Sequence, residues 1–393
     1  MIPKEQIWTG ELNQRALAGE GRPPGRVGLY DTTLRDGEQT VGVALEPEQK
    51  LAIARAIDSL GIERIEAGFP RVSQDDTEAF RAIAAAGLDA EIWGFARAVP
   101  ADVDALLEIG VRAAVIESPV SDGKLSAYGI AREELVRRVT TAVRHAAGNG
   151  VTVCFFGVDG SRADFGFLER VYKEAVDAGA REVAMVDTLG AVNPEAAALM
   201  VSSARGWLGD QIPVHWHGHN DFGLATAAAI AAVRAGAQWV QGTINGMGER
   251  AGNANLAEVA LALEALYGLR TNLRFGRLRE VAEMVRRTSG YELEPWKPLT
   301  GDTLFTRESG AVASQFHDPP AIEPYSSELV GAARRIVLGK KSGLDSIRIK
   351  LAELGLELDE QELPALLAEV KTLGARKHDL VTDEEFRELV DAR

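Results

Sequence analysis

The sequence has almost no cysteine, because Cys154 is the only one among 393 residues. A single thiol allows no disulfide within the chain, which excludes the small disulfide-stabilised folds of secreted proteins. The start, MIPKEQIWTGELNQR, also lacks the basic and then apolar layout of a secretory signal peptide. We therefore expect a cytoplasmic protein.

Long hydrophobic runs and basic runs are missing as well. No segment approaches the roughly 18 apolar residues of a membrane helix. Lys and Arg number 43 against 58 Asp and Glu, so the formal net charge is −15 and a nucleic-acid backbone would be repelled. Neither a membrane nor a nucleic acid is an expected partner. With 46% hydrophobic and 26% charged residues, the composition is that of a globular protein.

The sequence does contain a regular alternation of two kinds of segment. Short apolar, β-branched runs alternate with Ala-, Leu-, Glu- and Arg-rich helical stretches, which indicates a parallel sheet covered by helices. The predicted strands are 27–36, 62–70, 90–98, 113–121, 152–159, 182–190, 213–221 and 239–246. Eight such units predict the α/β class and a (β/α)8 TIM barrel. A doubly wound open sheet is the alternative, but DTTLRDGEQ after the first strand is not a phosphate-binding loop.

The repeat has clear limits. The Gly/Pro-rich GEGRPPG lies in what we interpret as an N-terminal arm, residues 1–26. The barrel is predicted over 27–270, and residues 271–393 should form a small, mostly helical C-terminal domain. A helix over 276–288 and a Pro/Gly/Ser-rich section precede helices near 343–354, 360–374 and 382–391. This domain could cover a barrel mouth, either its own or a partner's.

Polar residues are concentrated at the C-terminal ends of the predicted strands. That face is where barrel enzymes build their active sites. The residues are Arg35, Asp36, Glu66, Arg97, Glu117, Asp159, Asp187, His217, His219 and Asn245.

The segment HWHGHND contains half of the six histidines. Residues two apart in a strand point the same way, so His217 and His219 project together and His215 lies one layer deeper. Two imidazoles about 7 Å apart on a strand can converge on one ion above the strand end. The competing interpretation is a group of core histidines, with Asn220 and Asp221 forming a turn or helix cap.

Two further segments add candidate ligands. Asp36, in DTTLRDGEQ, supplies a carboxylate, and Arg35 beside it has a planar fork of donors suited to an oxyanion. Asn253, in the glycine-rich GMGERAGNANL, offers an amide oxygen to a hard cation. Each segment alone could be an ordinary capping turn or loop. Together with the histidines they predict a metal site.

These segments resemble the metal-dependent barrel enzymes that include isopropylmalate, homocitrate and citramalate synthases, with hydroxymethylglutaryl-CoA lyase as a more distant relative. DTTLRDGEQ, EAGFP, FARAV, HGHNDFGLA and GMGERAGN carry the similarity over residues 27–260, and FTRESG, EPYSSELVG and RRIVLGKKSG extend it. The GMGER loop resembles the synthases more than the lyase, whose equivalent loop carries a cysteine.

The resemblance implies a site and a reaction. A divalent metal ion (Mg, Mn, Zn, Co or Fe, which these donor types do not distinguish) would polarise a 2-oxo acid. Its ligands would be Asp36, His217, His219 and Asn253. Arg35 would stabilise the oxygen that gains charge, while Arg97 and Thr188 would bind the substrate. With acetyl-CoA as co-substrate, a Claisen-type condensation would give a 2-alkylmalate or homocitrate-like product. The resemblance also implies a homodimer whose C-terminal region contacts the partner barrel.

The end of the site that would activate acetyl-CoA departs from the family pattern. Strand five of the relatives usually ends in Ser-x-Glu-Asp, whereas this chain has Phe156 and Val158 at the Ser and Glu positions. Cys154 stands where homocitrate synthases that use 2-oxoglutarate often have arginine. In the relatives' HESGIH motif the last histidine serves a neighbouring subunit; here RESGAV begins with Arg307 and ends with Val312. A tyrosine common further on is Ile322, with Tyr325 three residues later.

A condensing enzyme nevertheless needs a base for the acetyl methyl group. The candidates at this point are Glu66, Glu117, Asp159 and His317, each of which could equally be a hydrogen-bonding residue. Three functions stay open: a synthase with an unusual substrate, a lyase or aldolase that cleaves a 2-hydroxy acid without acetyl-CoA, and a binding protein that has lost catalysis. Retention of Arg35 argues against the binding protein, which would have no need of an oxyanion partner.

Overall fold

The computed structural model describes residues 2–18 and 25–393. The chain divides into two compact units. The first is Glu11–Leu293, and the second combines Ile2–Gly10 with Glu294–Arg393. Among the described residues, no helix is both long enough and apolar enough to cross a membrane.

The first unit is a closed barrel of parallel strands, in the order β1 to β8 around the ring. The strands are β1 (Gly28–Asp31), β2 (Arg64–Glu66), β3 (Glu91–Arg97), β4 (Ala113–Pro119), β5 (Thr152–Val158), β6 (Glu182–Asp187), β7 (Val214–Gly218) and β8 (Trp239–Gly242). The ring closes where β1 pairs with β8, with Gly28 opposite Trp239 and Asp31 opposite Gly242. The predicted TIM barrel is confirmed.

Helices connect the strands. In the described part of the first unit they are α1 (Leu12–Leu17), α2 (Pro47–Ser59), α3 (Gln74–Ala84), α4 (Pro100–Ile109), α5 (Asp122–Tyr128), α6 (Arg132–Gly148), α7 (Phe165–Asp177), α8 (Pro194–Leu208), α9 (Ala225–Arg234), α10 (Leu256–Tyr267) and α11 (Leu278–Ser289). Local sequence explains their ends. For example, α2 has proline in its first turn and a capping box between Glu46 and Gln49, and α4 ends at Gly110 with φ 92°.

The strands are shorter than the predicted segments because the polar ends of those segments leave the sheet. After β1, the N–H groups of Arg35, Asp36 and Gly37 all donate to the carbonyl oxygen of Thr32, which forms a tight turn. After β8, a 3-10 turn (Ile244–Gly246) holds Asn245 at φ 62°. The candidate site residues therefore stand on loops directly above the strand ends.

Alternate strand residues fill the barrel interior. Large side chains such as Tyr30, Trp93 and Phe156 form one buried cluster there. Nearer the N-terminal ends of the strands, Arg64 donates to both carboxylate oxygens of Glu182 at 2.6 and 3.0 Å. Burial by itself raises the pKa of Glu182, but its neighbours His215 and Arg64 lower it to about 2. This end of the barrel is held by a buried ionic network.

The second unit has its own small core. Its strands β9 (Thr306–Arg307) and β10 (Arg335–Ile336) pair in parallel, and its helices are α12 (Gly310–Ala313), α13 (Leu344–Leu354), α14 (Leu363–Lys377) and α15 (Asp383–Asp391). Ile347, Leu366, Val370 and Phe386 are fully buried in its hydrophobic cluster. The three C-terminal helices expected from the sequence are present.

The predicted N-terminal arm has structure at both ends of its described part. Ile7 pairs with Tyr325 in an antiparallel bridge of the second unit, and α1 belongs to the first unit. Residues 19–24, which contain most of GEGRPPG, lie outside the described residues. The domain boundaries expected at 26/27 and 270/271 stay predictions. The compact units divide instead near Gly10 and Leu293.

Candidate active site

Three buried side chains with metal-ligating atoms meet above the strand ends. Asp36 comes from the loop after β1, His217 from β7, and His219 from the residue just beyond β7. The carboxylate oxygen Oδ2 of Asp36 lies 3.2 Å from Nε2 of His217 and 3.4 Å from Nε2 of His219. The two Nε2 atoms are themselves 3.4 Å apart. All three residues could offer one atom each to a common ion.

These separations fit ligands of one cation. Ligand atoms about 2.1 Å from an ion, at right angles or slightly wider, lie about 3.0–3.4 Å from one another. The arrangement also leaves hydrogen-bonding capacity unused, since Asp36 Oδ2 is buried with no hydrogen-bond partner among the described residues. Buried polar atoms are seldom left unpaired without a reason. An ion bound between the three side chains would account for this one.

Asn253 adds a fourth oxygen. Its Nδ2 donates to the carbonyl oxygen of Met247 at 3.0 Å, which fixes the orientation of the amide. The other amide atom, Oδ1, is buried and has no hydrogen-bond partner in the described part of the chain. A backbone bridge between His219 and Asn253 brings this residue beside the histidines. The four residues predicted as ligands are thus gathered at one place, and their role as ligands stays a prediction.

Glycines let the loop after β8 approach Asn253. Gly252 has φ 84°, and a Cβ atom there would lie 1.9 Å from the carbonyl oxygen of Gly246. At Gly248 a Cβ atom would lie 2.3 Å from Nδ2 of Asn253. Only glycine fits such close backbone approaches. The glycines of GMGERAGN are therefore what presents the Asn253 amide.

Arg35 stands beside the cluster with part of its guanidinium unused. Its Nε donates to Glu66, and its Nη1 is 3.7 Å from Asp36 Oδ2. The guanidinium carbon lies 4.4 Å from the ring centroid of Phe95 and 5.9 Å from that of Phe156. Nη2 is buried and lacks a hydrogen-bond partner among residues 2–18 and 25–393. A donor of this kind suits an oxygen that gains negative charge during a reaction.

The electrostatics favour the ligating forms of these residues. Burial alone would raise the pKa of Asp36, but Arg35 and the two nearby imidazoles outweigh it and hold the pKa well below its usual value. Burial lowers the pKa of His217, although Asp36 opposes the shift. An ionised carboxylate and a neutral imidazole are the forms that bind metals.

Two of the candidate bases are fully engaged by neighbours. Glu66 accepts hydrogen bonds from Arg35 and, at 3.0 Å, from the hydroxyl of Tyr30. Asp159 accepts two hydrogen bonds from Arg162 at 2.8 and 2.7 Å and one from Ser121. Each carboxylate therefore fixes the position of a neighbouring group.

Glu117 differs from both. It lies in β4 opposite Arg97 of β3 and Phe156 of β5. Because Val115 points into the barrel, Glu117 two residues further on faces the same interior. Within the described residues, its carboxylate makes no hydrogen bond or ion pair. Burial raises its pKa, against the influence of Arg35, Arg97 and Lys124.

The two predicted substrate-binding residues have contrasting surroundings. Arg97 is half exposed and donates from Nε and Nη2 to the buried carboxylate of Asp102 at 2.7 and 3.1 Å. Thr188 Oγ1 accepts a hydrogen bond from the N–H of Asp159 at 2.8 Å. Since the acceptor site of this hydroxyl is used, its hydrogen is available for a substrate oxygen.

His215 is a core residue. Its Nε2 is 2.6 Å from Glu182 and its Nδ1 is 3.2 Å from Gln241 Nε2, so both ring nitrogens have partners. Sequence reasoning missed two contacts of the site: Tyr30, which holds Glu66, and Phe95, which lies against Arg35. A buried tyrosine in an apolar strand was the one available signal, because its hydroxyl must find a partner.

The remaining sequence candidates belong to the second unit. Arg307 lies in β9, Val312 in α12, and His317 is exposed on the segment that follows. Arg307 Nη1 donates to the carbonyl oxygens of Leu304 and Thr306. A role for these residues near the barrel mouth stays a prediction, as does the homodimer.

Two family models match the chain. The HMGL-like model matches residues 26–285, and a model described as homocitrate synthase post-HMGL domain-like matches residues 299–378. Between them they cover the barrel, with the metal-site candidates and Arg35, and most of the second unit.

Curated relatives are similar over nearly the whole chain. A Methanopyrus kandleri protein provisionally named (R)-citramalate synthase CimA is 43% identical over 92% of this chain and 72% of its own. Homocitrate synthase AksA of the same organism is 43% identical over 93% and 92%. The 2-isopropylmalate synthase of Methanocaldococcus jannaschii is 39% identical over 94% and 72%. Among solved structures, an HMG-CoA lyase of Bacillus subtilis superposes with a TM-score of 0.63 at 19% identity, covering 70% of this chain and 97% of that one. This last match bears on the fold alone.

Proposed function

This chain belongs to the HMGL-like family, and on that premise we propose that it condenses acetyl-CoA with a 2-oxo acid. The reaction would be a Claisen-type condensation, in which an acyl group becomes an alkyl group on transfer. Its product would be a 2-hydroxy acid of the 2-alkylmalate or homocitrate type. Relatives of about 40% identity are named as synthases of this kind, whereas the lyase match lies far lower in identity.

One observation carries the proposal: unpartnered buried donor and acceptor atoms surround a single point. Asp36 Oδ2, Asn253 Oδ1 and Arg35 Nη2 have no hydrogen-bond partner within the described residues, and two imidazole Nε2 atoms adjoin the carboxylate. Acceptors grouped beside a free guanidinium donor suit a cation and an oxyanion held side by side. A packing role alone would leave these groups uncompensated.

We assign the residues as follows. A divalent metal ion held by Asp36, His217, His219 and Asn253 would polarise the ketone of the 2-oxo acid. Arg35 would donate to the ketone oxygen as that oxygen gains charge, and Glu66 would hold the guanidinium in place. The hydroxyl of Thr188 would donate to the substrate carboxylate. Arg97, anchored on Asp102, would meet the substrate at the rim of the barrel.

The test is a substrate panel. Purified protein with Mn²⁺ and acetyl-CoA is mixed in turn with pyruvate, 2-oxoisovalerate, 2-oxoglutarate and oxaloacetate, and free thiol is followed with time. We expect thiol release that depends on one of these acids and on the metal. Mass spectrometry of the product should show the mass of the acid plus one acetyl group and one water.

A matched pair of variants serves as control. Asp36→Asn should abolish thiol release, while Asp104→Asn, the same change at an ion-paired surface aspartate of α4, should leave it intact. If the wild-type protein releases no thiol with any acid but forms pyruvate or glyoxylate from 2-hydroxy acids, the condensation is wrong and the lyase replaces it.

A further inference from the structure

The position of Glu117 brings its carboxylate to the reaction site. Its register partner Phe156 has its ring 5.0 Å from the ring of His217. The same Phe156 ring is 5.9 Å from the guanidinium carbon of Arg35. Neighbouring strands are about 4.8 Å apart. Glu117 therefore stands one strand away from a side chain that contacts both the metal-site histidine and the arginine.

The other carboxylates in this part of the barrel are committed to structure. Arg35 and Tyr30 occupy both oxygens of Glu66, and Arg162 and Ser121 occupy those of Asp159. A proton taken up by either would break a buried ion pair. No such cost applies to Glu117, whose carboxylate lacks a hydrogen-bonding partner in the part of the chain that the structure describes.

The surroundings of Glu117 suit a group that gains and loses a proton. It is largely buried, which disfavours its charged form and raises its pKa. The charged groups that face it are the cations of Arg35, Arg97 and Lys124, which oppose this shift, and the anion of Asp102, which adds to it. The pKa is raised in balance, so the carboxylate is a stronger base than an exposed glutamate.

We propose, resting on the condensation assigned above, that Glu117 is the base that removes a proton from the methyl group of acetyl-CoA. The methyl C–H bond breaks, its proton passes to the Glu117 carboxylate, and the electron pair becomes the enolate of the thioester. The enolate carbon then bonds to the ketone carbon of the 2-oxo acid, and the ketone oxygen becomes an alkoxide facing Arg35. The alkoxide takes up a proton, and water cleaves the thioester to give the acid and free thiol.

This assignment supplies a group that the chain otherwise lacks. Val158 and Val312 cannot accept a proton, although both positions resemble places where relatives carry acid–base residues. Glu117 and Val158 lie on the neighbouring strands β4 and β5, and Val158 is the register partner of Pro119, two residues after Glu117. The carboxylate would therefore have moved by one strand while staying at the same end of the barrel.

The experiment compares Glu117→Gln with Glu117→Asp and with Glu108→Gln, the same change at an exposed glutamate of α4. Glutamine keeps the size of the side chain and removes its basicity. We expect kcat to fall by about 10²–10⁴-fold in Glu117→Gln, to recover in part in Glu117→Asp, and to be unchanged in Glu108→Gln. The affinity for the 2-oxo acid with Mn²⁺, measured by calorimetry, should change by less than about threefold because Glu117 would act on the other substrate.

Two further readouts distinguish a base from a merely structural residue. With trideuterated acetyl-CoA, the isotope effect on kcat should rise in Glu117→Asp, because proton removal becomes slower than the other steps. The acid limb of the wild-type pH profile should lie above the ordinary range of glutamate and disappear in Glu117→Gln. An unchanged kcat in Glu117→Gln, with an active wild type, would overturn the assignment of Glu117 alone. An inactive wild type would instead overturn the condensation.

Discussion

The charge of Asp36 should decide whether the barrel binds a metal ion. Its Oδ2 lies 3.2 and 3.4 Å from the two imidazole Nε2 atoms, so Asp36→Asn removes the anionic donor without changing the volume of the side chain. Loss of an outer partner of a metal ligand already weakens affinity by about 10–100-fold, and loss of a ligand's charge should weaken it by at least about 100-fold.

These factors convert into a stability change. At a metal concentration of 100 times the dissociation constant, binding stabilises the native state by about 2.7 kcal/mol, and a 100-fold weaker site reduces this to about 0.4 kcal/mol. For a domain of this size class, 1 kcal/mol corresponds to about 2–4 °C in Tm. We therefore expect Mn²⁺ to raise the Tm of the wild type by about 5–10 °C and that of Asp36→Asn by only about 1–2 °C.

The assay is thermal unfolding of EDTA-treated protein with and without Mn²⁺. Comparing each variant with its own metal-free form removes any direct effect of the substitution on stability. Asp104→Asn is the matched control and should keep the full metal-induced shift. If Asp36→Asn also keeps the full shift, Asp36 is not a metal ligand and the site geometry has been misinterpreted.

Three other substitutions test separate parts of the structure. Arg35→Lys keeps the positive charge but loses the fork of donors, so we expect kcat to fall by about 10²–10³-fold while calorimetry shows unchanged Mn²⁺ affinity. Gly252→Ala would place a Cβ atom 1.9 Å from a backbone oxygen at φ 84°, so it should displace Asn253 and weaken Mn²⁺ binding measured by calorimetry; intact binding would contradict this role of the loop. Glu182→Gln removes the carboxylate bonded to Arg64 and should cost about 3 kcal/mol of unfolding free energy at pH 7. Because the native pKa of Glu182 is about 2, below the roughly 4.3 of an unfolded chain, this contribution is complete above a pH of about 5 and is lost as the pH falls to about 2. Urea unfolding curves of the two proteins should therefore converge in acid, and a difference that persists there would refute the assignment.

Much of the fold was predictable from local patterns. The period-two apolar runs found all eight strands, since each strand buries its side chains in the barrel interior or under the helices. The ends of the predicted strands were too long at β1 and β8, where backbone turns at Thr32 and Asn245 end the sheet early. Such turns depend on hydrogen bonds that hydrophobic periodicity does not report.

The metal-site candidates could be grouped from the sequence because barrel topology brings the ends of parallel strands to one face. Asp36, His217 and Asn253 follow or end strands β1, β7 and β8, which are neighbours in the closed ring. The acid–base group could not be chosen in the same way. Glu66 and Glu117 both end strands of that face, and only their partners distinguish them: Arg35 and Tyr30 bind the first and leave the second free.

The order of residues along the chain determined the barrel, the clustering of polar groups at one of its ends, and the pairing of Arg35 with Asp36, because these follow from strand alternation and from adjacency. Tertiary structure decided which polar atoms are already satisfied. Hydrogen-bond partners such as Tyr30 and Glu66 are 36 positions apart in sequence and meet only after the barrel closes. A carboxylate's chemistry depends on those contacts and on its burial, and neither is encoded in the neighbouring residues of the chain.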